Sequence, residues 1–64
     1  MNISKIKAFL KTHNTGKFLE YQATDKGLTL SDLEYMCKEH YIVWVKDDEY
    51  RVTPKGSSFA FEKD

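Results

Sequence analysis

At Tyr41 the apolar pattern of this chain changes period, and that change limits what it can fold into. Up to His40 the apolar residues recur at helical spacing. Beyond it, Tyr41-Ile42-Val43-Trp44-Val45 is a run of β-branched and aromatic residues suited to a strand. A polar tip follows, Lys46-Asp47-Asp48-Glu49, and then Tyr50-Arg51-Val52-Thr53 in alternation. The pattern predicts a β-hairpin, although no Asn-Gly or Asp-Gly fixes its turn. Helices followed by a hairpin make the expected class α+β, in a single domain over residues 1–64.

The helical part divides into segments. Asn2 or Ser4 is positioned to cap a first helix, whose buried face is Ile3, Ile6, Phe9, Leu10 and His13. Lys5, Lys7 and Lys11 fall mostly away from that face, and Asn14, Thr15 and Gly16 break the helix. Residues 17–25, with Phe18, Leu19, Tyr21, Gln22 and Ala23, read as a second, shorter helix ending before Gly27. Leu28, Thr29 and Leu30 suit an extended link. Ser31 and Glu34 form an S-x-x-E capping box for a third helix, with Leu33, Met36, Cys37 and His40 on one face. Asp32, Tyr35, Lys38 and Glu39 point elsewhere. After the hairpin, Thr53 suits a helix cap with Pro54 at the first helical position. Residues 57–61 fit either a helical turn or a short strand.

A chain of 64 residues buries only about 60% of the surface it exposes when unfolded, so its core is small. Its nine aromatic rings exceed what such a core can hold, and some are expected at the surface. No apolar run approaches a membrane span, the first residues lack the long apolar stretch of a signal peptide, and Cys37 has no internal partner for a disulfide. The expected location is therefore cytoplasmic. Net charge is zero but unevenly spread. Residues 1–17 carry four lysines and no acid, whereas residues 18–50 carry eight acids against three lysines.

The stretch Tyr50-Arg51-Val52-Thr53-Pro54-Lys55-Gly56 resembles the Y-x-L-T-P-K-G ending of the wing in many bacterial winged-helix transcription regulators. Tyr41 to Val45 stands where those regulators have a Gly-Leu-Ile leading from the third helix into the wing. The resemblance covers residues 17–61. It implies a small winged-helix domain, three helices followed by a β-hairpin wing, with the third helix entering the major groove of double-stranded DNA. It also implies transcription regulation without catalysis. Carried over position by position, it makes Ser31, Asp32, Tyr35, Lys38 and Glu39 face bases or phosphates, with Lys46 to Glu49 at the wing tip and then Arg51. The expected nucleic-acid set is Ser31, Tyr35, Lys38, Lys46, Arg51 and Lys55.

Charge points to a second expectation. A helix that reads DNA usually offers Arg, Lys, Asn or Gln, and this one offers Lys38 beside Asp32, Glu34 and Glu39. Three consecutive acids at the wing tip repel phosphates. Asp32, Glu34, Tyr35, Glu39, Asp47, Asp48 and Glu49 would instead form a face for a basic protein partner, in an adaptor, an inhibitor or a DNA mimic. Tyr35, Tyr41, Trp44 and Tyr50 would supply its anchors. The expected state is a monomer or weak dimer. Cys37 and His40 lie three apart on the predicted helix, but only His13 remains as a further soft ligand and no group orients a nucleophile. Neither an enzyme nor a bound metal or cofactor is expected.

Overall fold

The computed structural model describes residues 3–13 and 16–62. Helix α1 (Ile3–Thr12) forms where the spacing predicts it and buries Ile6, Phe9 and Leu10. His13 extends that face by stacking on the Phe9 ring at 4.4 Å. Ser4 lies within the first turn and does not cap it, while the alternative cap Asn2 and the break at Asn14 and Thr15 lie outside the described residues. Lys7 is not the solvated lysine that periodicity suggests. It is 9% exposed, and its ammonium donates to the Glu62 carbonyl at 3.1 Å and lies 5.0 Å from the centre of the Phe59 ring. The C-terminal segment crosses α1 there and covers the aliphatic stem while supplying the charge with acceptors.

Residues 17–25 are not one helix. Lys17–Leu19 is a strand, β1, and only Glu20–Asp25 is helical, α2. The strand places Phe18 in the core, edge-on to Phe9 at 4.8 Å and stacked on Tyr50 at 5.5 Å. A three-residue strand is too short to show alternation, so long-range pairing alone creates it. As expected, α2 ends before Gly27, whose φ is +90°. The N–H of Gly27 donates to Thr24 and that of Leu28 to Ala23, the paired bonds of a Schellman ending.

Helix α3 (Leu30–Lys38) starts two residues earlier than Ser31 and Glu34 predict, so those two do not cap it. The box is Thr29 with Asp32: the Thr29 hydroxyl accepts from the Asp32 N–H at 3.2 Å, and the Asp32 carboxylate accepts from the Thr29 N–H at 2.9 Å. Leu28 and Leu33, both 3% exposed, occupy the two positions of a hydrophobic staple and favour this register. His40 does not continue the helical face. It takes the left-handed conformation, φ +64°, just past the helix end, and the N–H groups of His40 and Tyr41 donate to Cys37 and Met36.

Strands β2 (Ile42–Lys46) and β3 (Glu49–Val52) form the expected hairpin, and helix α4 (Pro54–Ala60) resolves the ambiguity over residues 57–61. The sheet is antiparallel in the order β1-β3-β2. The described residues thus form an α+β domain of four helices and three strands, and not three helices followed by a two-stranded hairpin. No described helix is long and apolar enough to cross a membrane.

The hairpin is fastened where it leaves β3. The Thr53 N–H donates to the Tyr41 carbonyl at 3.0 Å, and the Thr53 hydroxyl reaches the carbonyls of His40 and Tyr41 at 2.6 and 3.0 Å. That hydroxyl also accepts from the Gly56 N–H at 3.0 Å and caps α4, with Pro54 following as the sequence predicts. Gly56 is needed for a reason other than a turn: a Cβ there would collide with the Tyr41 carbonyl. Gly56→Ala is therefore expected to destabilise the fold by about 2 kcal/mol, lowering Tm by about 10 °C. Gly16, with nothing within 4 Å of an added Cβ, is the control. Its alanine variant should stay within about 0.5 kcal/mol in the same thermal melts.

Candidate interaction surface

The outward side of α3 presents Ser31, Glu34 and Lys38, all exposed, with Glu39 half-buried at its C-terminal end. Two expected contact residues are withdrawn from it. Asp32 is 4% exposed and holds the cap, so its carboxylate is spent inside the fold. Tyr35 is half-buried, its ring 6.2 Å from that of Tyr41 at 66°. Tyr41 itself is 9% exposed and stacked on Phe59 at 4.2 Å, which removes it from the surface anchors. Lys55 is exposed, and its ammonium sits 5.4 Å over the Tyr41 ring.

The hairpin supplies the rest. Directly opposed residues share a face of the sheet, so Trp44, Tyr50 and Phe18 form one row and Val43, Arg51 and Lys17 another on the opposite side. Phe18 is in the core, Tyr50 is half-buried, and Trp44 at the sheet edge is 61% exposed. Its neighbours Val43 and Val45 are 42% and 38% exposed. Val45 falls where the register shifts between Trp44 and Lys46 and has no residue opposite it. Lys46 and Arg51 are exposed, whereas Glu49 is half-buried and lies 3.3 Å from the Lys17 ammonium. Glu49 is thus an internal ion pair rather than part of an acidic face.

Asp47 and Asp48 form the turn, with Asp47 at φ +46°. Two bonds hold it without the usual glycine. The Trp44 indole donates to the Asp47 carbonyl at 2.7 Å, and the Glu20 N–H donates to the Asp48 carbonyl at 2.8 Å. The second bond ties the turn to the start of α2. Burial pushes the Tyr50 phenol above its ordinary value, with Cys37, Glu20 and Asp48 adding to it. Burial raises the Tyr41 phenol too, with Tyr35 and Glu39 adding to it. Burial also raises the Cys37 thiol, which disfavours the thiolate that metal binding or nucleophilic attack requires.

Cys37 and His40 therefore part company: the cysteine is half-buried against the core and the histidine exposed beyond the helix. Among the described residues no three His, Cys, Asp or Glu side chains are grouped to hold a metal ion. Of the four expected aromatic anchors, Trp44 is the one left fully at the surface. Its signal was present, since one covered sheet face cannot bury Val43, Trp44 and Val45 in succession. No family model, curated protein or solved structure matches this chain.

Two outcomes follow from this geometry. Asp32→Ala should cost about 1–2 kcal/mol in denaturant unfolding, because it removes a cap, while Glu34→Ala on the exposed side should stay within about 0.5 kcal/mol. Raised phenol values mean that the folded chain keeps protons the unfolded chain has lost, so stability falls as pH rises above about 10. Thermal melts between about pH 8 and pH 11 should show that fall, and Tyr50→Phe should make it shallower.

Proposed function

We propose that this chain is a non-enzymatic winged-helix module that binds a basic protein through the surface formed by α3 and the hairpin. The winged-helix reading is supported by α1, α2 and α3 preceding the β2–β3 hairpin, and by the Thr53-Pro54-Lys55-Gly56 ending that caps α4. The observation that carries the protein-binding reading is the exposed Trp44 at the sheet edge, followed by the acidic turn Asp47-Asp48. An exposed aromatic anchor beside a charged rim is a composition that protein interfaces favour. Glu34 on α3 adds to the negative rim.

Double-stranded DNA is the competing ligand, favoured by the order of the elements and by the exposure of Ser31, Lys38, Lys46 and Arg51. Against it, two of the cations near the hairpin already have internal engagements, Lys17 with Glu49 and Lys55 over Tyr41. The helix placed to read bases offers Lys38 as its one exposed cation, beside Glu34.

Two measurements separate these ligands. Immobilised chain should capture a basic protein from extract, and Trp44→Ala should weaken that capture by about 30-fold, as truncating an interface anchor does. Labelled random duplex should give no anisotropy change at about 20 mM salt. Micromolar duplex binding that collapses at about 200 mM salt and weakens in Lys38→Glu and Arg51→Glu would overturn the protein reading in favour of DNA.

A further inference from the structure

A cavity of about 190 Å³ opens between α1 and the end of α2. It is lined by Lys5, Ala8, Phe9 and Thr12 of α1 and by Lys26, which caps the end of α2. Phe9 makes a fixed floor, since it is 3% exposed, stacked on His13 and edge-on to Phe18. The Thr12 hydroxyl donates to the Ala8 carbonyl at 3.1 Å and so spends its proton within the helix. What remains polar at the rim is two ammonium groups. Lys5 reaches from α1 across Gly27, its Nζ 2.9 Å from the point a Cβ on that glycine would occupy. The bare glycine thus lets one lysine lie beside the residue that carries the other. No acid is among the described residues that line the cavity, and Asp25, which precedes Lys26, is not one of them.

The same sign continues along the helix. The exposed residues of α1 are Ser4, Lys5, Ala8, Lys11 and Thr12, without an acid. The exposed acids Glu34, Asp47 and Asp48 stand on α3 and the hairpin turn. A chain of zero net charge is therefore polarised, with a cationic face that has an apolar cavity in it.

We propose that this face of α1 docks an acidic segment of another protein, which seats one apolar side chain on Phe9 and sets carboxylates against Lys5 and Lys26. Charge selects the sign of the occupant, because two cations at one rim attract a carboxylate and repel a basic partner. The floor selects its class. A duplex meets a protein chiefly through its phosphates, which would leave an apolar cavity unfilled. An acidic segment carries apolar and anionic side chains next to one another and satisfies floor and rim together. The face differs in place and in sign from that of α3 and the hairpin, so the inference does not rest on the proposed function.

The probe is a short labelled peptide of aspartates and glutamates around a central leucine, followed by anisotropy with the whole chain. It should bind at about 20 mM salt with a Kd of about 100 µM and weaken severalfold at about 200 mM. Replacing its leucine by serine should weaken binding about tenfold, the contribution of one buried apolar side chain. Lys5→Glu and Lys26→Glu should each cost about tenfold, and Ala8→Gln, which fills the cavity without changing charge, should weaken binding as well. These positions are exposed, so circular dichroism should be unchanged. Lys38→Glu changes net charge equally but lies outside the cavity lining and should leave binding as it is. Absence of binding at about 20 mM salt overturns the proposal. So does equal binding of the serine peptide, or an equal loss in Lys38→Glu, since either means attraction without a site. Duplex binding that Lys5→Glu and Lys26→Glu abolish would overturn it in favour of phosphates.

Discussion

The carbonyl of Tyr41 is the point on which the rest of the structure converges. It accepts the Thr53 N–H, lies within reach of the Thr53 hydroxyl, and is approached so closely by Gly56 that no side chain fits between. That one acceptor joins the end of α3, the exit of the hairpin and the start of α4. A buried carbonyl left without donors costs about 1–3 kcal/mol, so each of these elements stabilises the others through it. The Tyr41 ring extends the same junction, stacked on Phe59 and covered by Lys55. In so short a chain, with few wholly buried large side chains, such a multiply used contact counts for more than it would in a larger core.

The hairpin is consequently held at both ends. At its base stand Thr53 and Tyr41. At its tip the Glu20 N–H holds the Asp48 carbonyl, and the Trp44 indole holds that of Asp47. β1 lies on one side of β3 and β2 on the other, which makes β1 and β2 the two edges of the sheet among the described residues. The same tethering fixes the exposed Trp44 and the acidic turn relative to α3. A surface that is already rigid loses little conformational freedom when a partner arrives, which favours its use in recognition.

Charge is redistributed by the fold in ways that counting along the chain does not convey. Asp32 becomes a cap, Glu49 pairs with Lys17, Lys7 is drawn against Phe59, and Lys55 lies over Tyr41. The acidic face expected from six acids on α3 and the hairpin reduces to Glu34, Asp47 and Asp48, with half-buried Glu39 beside them. Glu20, from an element that was not expected to contribute, adds with Cys37 and Asp48 to the raised value of the Tyr50 phenol.

The sequence by itself determined the elements whose signals are local. The apolar spacing of α1, the Gly27 ending of α2, the hairpin after Tyr41 and the Thr53-Pro54 start of α4 each depend on residues within a few positions of one another. Tertiary structure decided what depends on distant partners. β1 exists because β3 accepts it and Phe18 meets Phe9 and Tyr50. The start of α3 moved to Thr29 because burial of Leu28 and Leu33 added to a capping signal of similar strength to the one at Ser31. His40 left its predicted face because the chain had to turn into β2. Capping and periodicity act over one or two turns and can be read along the chain. Burial and strand pairing join residues far apart, and which side chains they leave at the surface is set only when the whole chain has closed.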